Sequence, residues 1–141
     1  MENIKELLAH RELYTVKKGT NIKDTAYYMA EKKVGLVPIM DEGKLVGVFS
    51  ERDLVQRVIA KNKSLEDTKV EDVMTSNLII AKINESNESV LTKMKEANTR
   101  HIIIIEDDKL AGVISMRDLL ELHLTVYKTT VEVLNNYIYS K

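Results

Sequence analysis

Apolar and polar residues alternate along this chain with a period near two in some stretches and near 3.6 in others. The two periods follow each other in the same order twice. Leu13-Tyr14-Thr15-Val16 reads as a short strand closed by Lys17-Lys18-Gly19. Over 21–33, Ile22, Ala26 and Met29 recur at helical spacing, which predicts an amphipathic helix. Residues 36–40 form a buried strand, Asp41-Glu42-Gly43-Lys44 has the chemistry of a hairpin turn, and 45–49 return as its partner. Ser50 opens a second helix running through Leu54, Val55, Val58 and Ile59. Residues 61–68 are polar and aperiodic, and 70–74 offer at most one helical turn. The order then repeats: strand 78–80, helix 89–98, strand 100–105, turn, strand 110–114 and a helix from Ser115.

The repetition extends to residue identities. Gly47-Val48-Phe49-Ser50-Glu51-Arg52-Asp53-Leu54 returns sixty-five positions later as Gly112-Val113-Ile114-Ser115-Met116-Arg117-Asp118-Leu119. In the same register Leu13 meets Leu78, Met29 meets Met94, Ile39 meets Ile104, and Lys44-Leu45 meets Lys109-Leu110. Each copy is a β-α-β-β-α unit of a mixed α+β fold. A unit of ~60 residues leaves a marginal core by itself, so the halves are expected to pack together. The expected division is 6–62, a linker and lead-in over 63–74, a second unit over 75–125, and a helical extension over 126–141.

Both ends add helices. Asn3 followed by Glu6 suggests a capped helix carrying Ile4, Leu7 and Leu8. The last helix outruns its counterpart, and Leu120, Leu124, Tyr127, Val131, Leu134 and Ile138 are spaced as a coiled-coil seam. That seam either packs on the amino-terminal helix or pairs with a second copy, and we expect a homodimer. Thr125, Thr129 and Thr130 weaken intrinsic helix propensity, so the helix depends on such packing.

Composition narrows the function classes. The 141 residues are 44% hydrophobic but only 5% aromatic, so the core is aliphatic. A net charge of -1 argues against a broad nucleic-acid or anionic-membrane surface. Apolar runs such as Ile102-Ile103-Ile104-Ile105 are far short of the ~18 residues of a membrane span. With no cysteine and no signal-like amino terminus, a cytoplasmic protein is the expectation. His10, His101 and His123 have no metal-binding spacing, and the glycines follow neither GxGxxG nor P-loop spacing. No catalytic constellation assembles, so an enzyme is not expected.

The candidate chemistry lies in Ser50-x-x-Asp53 and Ser115-x-x-Asp118, where strand gives way to helix. One reading is a capping box. The other uses the same geometry: free N–H groups and the hydroxyl favour a phosphate, and the carboxylate accepts both hydroxyls of a ribose. Arg52 and Arg117 recur beside acids they do not face, and Arg100-His101 opens a strand with two cationic groups. Such donors suit phosphate.

Two in-register copies of Gly-h-h-Ser-x-Arg-Asp-Leu, together with "VEDVMTSNLI" and "RHIIII", resemble the CBS domain, named for cystathionine β-synthase. A tandem pair is known as a Bateman module, and the resemblance covers about residues 6–125. It implies a pseudo-two-fold pair and a regulatory, energy-sensing role. AMP, ADP or ATP would bind in two clefts between the paired domains, with S-adenosylmethionine or NAD-type ligands as alternatives. Carried over by position, Asp118 and Asp53 would each hold a ribose, and Ser115 and Ser50 would lie near the phosphates. Arg100 and His101 would contact phosphate, helped by Arg117 and Arg52. Tyr14 would line the base of the Asp118 cleft, and Thr75 with Ile79 that of the Asp53 cleft. The chain departs from the family pattern at Ile103, where the first repeat has Pro38. The Asp118 cleft is expected to be the stronger phosphate site, because Gly35 and Leu36 stand where the second repeat has Arg100 and His101. No cofactor is required, and an unidentified effector protein would read occupancy through a conformational or dimer change. The rival reading is a protein-interaction module with vestigial clefts.

Overall fold

The computed structural model describes residues 3–139. They fall into two compact units: Leu13–Leu78, and the residues up to Glu12 together with those from Ile79 onward. The helix α1 (Ile4–Ala9) therefore belongs with the second repeat, and the stretch after residue 60 belongs with the first.

The Leu13–Leu78 unit contains β1 (Val16–Lys17), α2 (Ile22–Lys32), β2 (Leu36–Asp41), β3 (Lys44–Ser50) and α3 (Glu51–Asp53). The helix α3 continues as a π-helical turn, Leu54–Ile59, and a 3-10 turn follows at Val70–Asp72. Its sheet has the order β1-β2-β3, with β1 parallel to β2 and β2 antiparallel to β3. The other unit contains α1, β4 (Ile80–Lys82), α4 (Asn87–Ala97), β5 (His101–Glu106), β6 (Lys109–Ser115) and α5 (Met116–Tyr139), with the sheet order β4-β5-β6.

The duplication is exact down to irregularities. Leu36 pairs with Ser50 and His101 with Ser115, and both hairpins shift register at the equivalent step, Ile39/Met40 and Ile104/Ile105. Both turns place two residues at positive φ, Glu42 and Gly43 in one, Asp107 and Asp108 in the other. This is the type I′ arrangement whose twist suits a two-residue hairpin. The helices α2 and α4 begin on side-chain caps, Asn21 and Ser86, and end on left-handed residues, Lys33 and Asn98.

Each sheet buries one aliphatic cluster. Val16, Ile22, Met29, Val37, Ile39, Phe49, Val58, Val70 and Val73 form the first, and Ile4, Ala81, Val90, Met94, Ile102, Ile104, Ile114, Leu119 and Leu122 the second. Ile4 and Val70 do equivalent work, each plugging its core from a short helical turn. A Cβ on Gly112 would meet Leu8 of α1, and one on Gly47 would meet Met74 after the 3-10 turn.

Several expectations are adjusted. The first strands begin later than 13 and 78, at Val16 and Ile80, and β4 starts one register step before β1 because the ladder needs N–H donors on the neighbour. Ile103 N–H reaches Ile79 O at 3.3 Å, whereas Pro38 has no N–H to give. The aperiodic 61–68 stretch is tied over the start of α2, where the N–H groups of Ile22 and Lys23 donate to Thr68 O (3.0 Å) and Leu65 O (2.9 Å). Those bonds satisfy N–H groups that a helix start leaves without intrahelical partners. The helix after Ser50 widens to π, with Ala60 N–H donating to Val55 O at 2.9 Å. Among the described side chains of α5 the buried ones are Leu119 and Leu122, which share a core with Ile4. The seam is thus not what α1 covers: Leu120, Leu124, Val131, Leu134 and Ile138 are exposed. The Tyr127 side chain lies outside the described residues. Among the described residues, no helix is long and apolar enough to cross a membrane.

Candidate ligand site

Both Ser-x-x-Asp motifs form reciprocal caps at a strand-to-helix step. In the Leu13–Leu78 unit, Ser50 N–H donates to Asp53 Oδ2 at 3.0 Å while Asp53 N–H donates to Ser50 Oγ at 3.1 Å. The equivalent distances for Ser115 and Asp118 are 2.8 and 3.0 Å. The capping reading therefore holds in both copies. It aims each carboxylate at the edge where the strand ends, fixed by its own backbone.

What completes each carboxylate differs. Asp53 is 6% exposed, and its remaining acceptor sites are filled mainly by neutral donors. Ser50 Oγ donates to Oδ2 at 3.1 Å, and Thr75 Oγ1 reaches Oδ1 at 3.1 Å and Oδ2 at 3.3 Å. Thr75 is held there by an antiparallel bridge to Val48, with both N–H···O distances at 2.8 Å. Arg57 Nε stands 3.4 Å from Asp53 Oδ1, while its Nη1 donates to Met74 O at 2.9 Å.

Asp118 instead meets a full guanidinium fork. Arg11 Nη2 donates to Oδ1 and Nη1 to Oδ2, both at 2.8 Å, and Nη1 also lies 3.4 Å from Val113 O. Burial alone raises the Asp118 carboxyl, but the Arg11 fork and the Ser115 N–H outweigh it and hold the group below the usual carboxylate range. The Arg11 guanidinium is raised in turn, chiefly by its hydrogen bonds to Asp118.

The other sequence-derived candidates are placed as follows. Arg100 is exposed and its carbonyl accepts from Met116 N–H at 2.8 Å, which ties β5 to the start of α5. His101 is half-buried opposite Ser115 in the β5–β6 register. Arg52 and Arg117 are exposed; Arg117 Nε lies 3.6 Å from Glu121, an i,i+4 pair that gives it a structural role we had not assigned. Tyr14 packs edge-on against Tyr28 within its own unit, with Lys32 Nζ 5.2 Å from its ring centre. Thr75 belongs to the same unit as Asp53 and hydrogen-bonds to its carboxylate, whereas Ile79 belongs to the unit that carries Asp118. Arg11 and Arg57 were not singled out from the sequence. Arg57 was legible as the i+4 neighbour of Asp53. Arg11 gave no signal, because its register mate is Ser76.

The fold and motifs together define a CBS-domain protein. The family model for the CBS domain matches residues 4–60 and 70–124, and the chain belongs to that family. It is similar to an uncharacterized protein of Methanocaldococcus jannaschii, MJ1232, at 32% identity over 79% of this chain. The chain spans only 36% of the length of that relative. Among solved structures it resembles PAE2072 of Pyrobaculum aerophilum, a CBS domain protein complexed with AMP. That match has a TM-score of 0.74 and 27% identity, covering 86% of this chain and 98% of that one. It also resembles the CBS domain pair of protein MJ0100, in complex with 5-methylthioadenosine and S-adenosyl-L-methionine. There the TM-score is 0.76 and the identity 27%, over 86% and 94% of the two chains.

Proposed function

We propose that this chain is a regulatory module that senses an adenosine-containing ligand, with a nucleotide such as AMP, ADP or ATP held at Asp118 and a second position at Asp53. The observation that carries this reading is the duplicated, backbone-fixed carboxylate at a strand-to-helix step, in a fold whose relatives bind AMP and S-adenosyl-L-methionine. A ribose diol needs two acceptors on one rigid carboxylate; each motif holds such a carboxylate, whose present side-chain partners, Arg11 at Asp118 and Thr75 at Asp53, would give way to the diol. Phosphate would meet the cationic groups at the start of β5, Arg100 and His101, with Ser115 beside them. Gly35 and Leu36 offer no charge at the same step of the first repeat, so Asp118 is the stronger phosphate position. The module acts without a catalytic step: a ligand that binds two states of the chain unequally shifts their populations, and an effector protein reads the shift.

The test is isothermal titration with AMP, ATP and S-adenosylmethionine, repeated on Asp118→Ala and Asp53→Ala. Binding lost in Asp118→Ala and retained in Asp53→Ala supports the assignment. The reverse pattern overturns the ranking, and silence from all three ligands with folded protein overturns the sensor. A second reading, in which self-association is the output, is favoured by the exposed apolar seam on α5, where Leu134 is 54% and Ile138 58% exposed. The occupant we assign to that seam is a second copy, since seam spacing of this kind is matched by another helix of the same spacing.

A further inference from the structure

We propose that Arg11 is a specificity gate on Asp118: it admits adenosine ligands that bring their own anion and holds out those that do not. The inference rests on the sensor reading above and adds the feature that selects among ligands. An ionised carboxylate has about four acceptor positions. At Asp118 three are taken, two by the Arg11 fork at 2.8 Å each and one by Ser115 N–H at 2.8 Å. The Ser115 bond is backbone and stays. A vicinal diol needs one position on each oxygen, and with the fork in place only a single position on Oδ1 remains. A ribose therefore cannot settle on Asp118 until Arg11 steps aside.

Displacement strips Arg11 of its counter-ion. A ligand carrying phosphate restores the fork by offering a second anion of matching bidentate geometry. A neutral nucleoside leaves the guanidinium to water, and S-adenosylmethionine offers one carboxylate but brings a sulfonium and an ammonium with it, so its net charge is like that of Arg11. The movement asked of Arg11 is small. Its backbone N–H is tied to Leu8 O at the end of α1 (3.2 Å), and α1 is anchored by buried Ile4. The guanidinium alone can swing, through the part of the side chain that is 37% exposed.

The first motif shows that the fork is an addition to the duplicated plan. There the hydroxyl of Thr75 caps the carboxylate, and in the sixty-five-residue register Thr75 falls on His10, not on Arg11. Moving a neutral hydroxyl away from Asp53 strands no charge. Asp53 has a guanidinium nearby as well, but Arg57 touches it at one point, 3.4 Å from Oδ1, and keeps a 2.9 Å bond to Met74 O, so selection by ligand charge falls mainly on Asp118.

The experiment titrates the full chain with adenosine, AMP and S-adenosylmethionine, comparing wild type with Arg11→Ala, Arg11→Gln and Arg11→Lys, each first checked for folding by thermal melting. Removing the fork is expected to narrow the preference for AMP over adenosine by about tenfold, the equivalent of one charge-assisted hydrogen bond. Arg11→Gln tests this if Arg11→Ala fails to fold. Arg11→Lys keeps the charge but not the bidentate fork, so its preference should fall between those of wild type and Arg11→Ala. An AMP-to-adenosine ratio unchanged in Arg11→Ala or Arg11→Gln overturns the gate while leaving the sensor intact. A collapse in Arg11→Lys equal to that in Arg11→Ala shows that charge is not the selector and also overturns it. Adenosine binding that appears only once Arg11 is gone supports the gate, whereas AMP binding that appears only then overturns it. Failure of every ligand on every variant overturns the sensor reading, and the gate with it.

Discussion

Replacing Thr75 by valine removes one hydroxyl and little else, which makes it a clean probe of how the Asp53 carboxylate is held. The backbone bridge between Thr75 and Val48 does not depend on the side chain, and valine is as well suited as threonine to an extended backbone. The loss is a bond shared between two oxygens at 3.1 and 3.3 Å, made to a carboxylate that is 6% exposed. Hydrogen bonds to charged groups contribute about 1.5–3 kcal/mol. These distances exceed the ~2.5–2.7 Å of the strongest hydroxyl–carboxylate bonds, which places the expectation near 1.5 kcal/mol. Thr75→Ser keeps the hydroxyl and should cost less, on the order of 0.5 kcal/mol. Arg57→Ala should cost about 1 kcal/mol, because a half-exposed side chain gives up its 3.4 Å contact with Asp53 together with the 2.9 Å hydrogen bond to Met74 O. Urea denaturation followed by far-ultraviolet circular dichroism reads the difference as a lowered midpoint at constant slope. A loss of about 1.5 kcal/mol is a drop of roughly 0.5–1.5 M for slopes of about 1–3 kcal/mol/M. Valine tolerated as well as serine would refute the argument that this hydroxyl neutralises the cost of burying the charge.

Three further outcomes are expected. Because Asp118 is held below the usual carboxylate range, its stabilising contribution is complete above the unfolded value near ~4 and fades as pH falls through the lower folded value. The stability gap between wild type and Asp118→Asn should therefore close on acidification below about pH 4 in a pH series of urea melts, and a constant gap contradicts the pairing. Gly112→Ala would put a methyl group 2.6 Å from Leu8 Cδ2, and the branched Leu8 has little room to yield, so thermal melts should register about 1–3 kcal/mol. Gly47→Ala should cost less although its methyl would lie 2.5 Å from Met74 Sδ, since the unbranched thioether can rotate away; the reverse order would contradict this. On the proposal that the α5 seam pairs with a second copy, Leu124→Glu and Leu134→Glu should shift sedimentation from dimer to monomer without lowering the melting temperature of the monomer, because both side chains are exposed in the single chain.

The duplicated fold was legible because hydrophobic period and turn chemistry are local properties. Met29 and Met94, aligned by register alone, are both buried, and the two acidic turns adopt the same pair of left-handed residues. Less legible were features that depend on what lies across the fold. Nothing in the spacing of Leu54, Val55, Val58 and Ile59 announces a π turn. Pro38 was noticed, but its effect on strand length follows only from the missing donor to the neighbouring strand. The Ser-x-x-Asp caps could be read as such because cap and carboxylate are three residues apart. The partner of Asp118 could not, because Arg11 lies 107 positions away and outside the repeated pattern.

The attachment of α1 to the later repeat also sets a schedule for synthesis. Residues 3–12 are made before 13–78, yet the cluster that receives Ile4 and the carboxylate that receives Arg11 are made after it. At about 5–20 residues per second, translation takes roughly five to twenty seconds to travel from Arg11 to Asp118. A helix of six residues does not hold its shape alone in water for that interval. The Leu13–Leu78 unit, contiguous in the chain, has every residue of its own buried cluster available while residues 3–12, its amino-terminal leader, still wait for theirs. Nascent-chain arrest beyond the first unit but before Asp118 should therefore leave that leader accessible to protease while the unit behind it is protected.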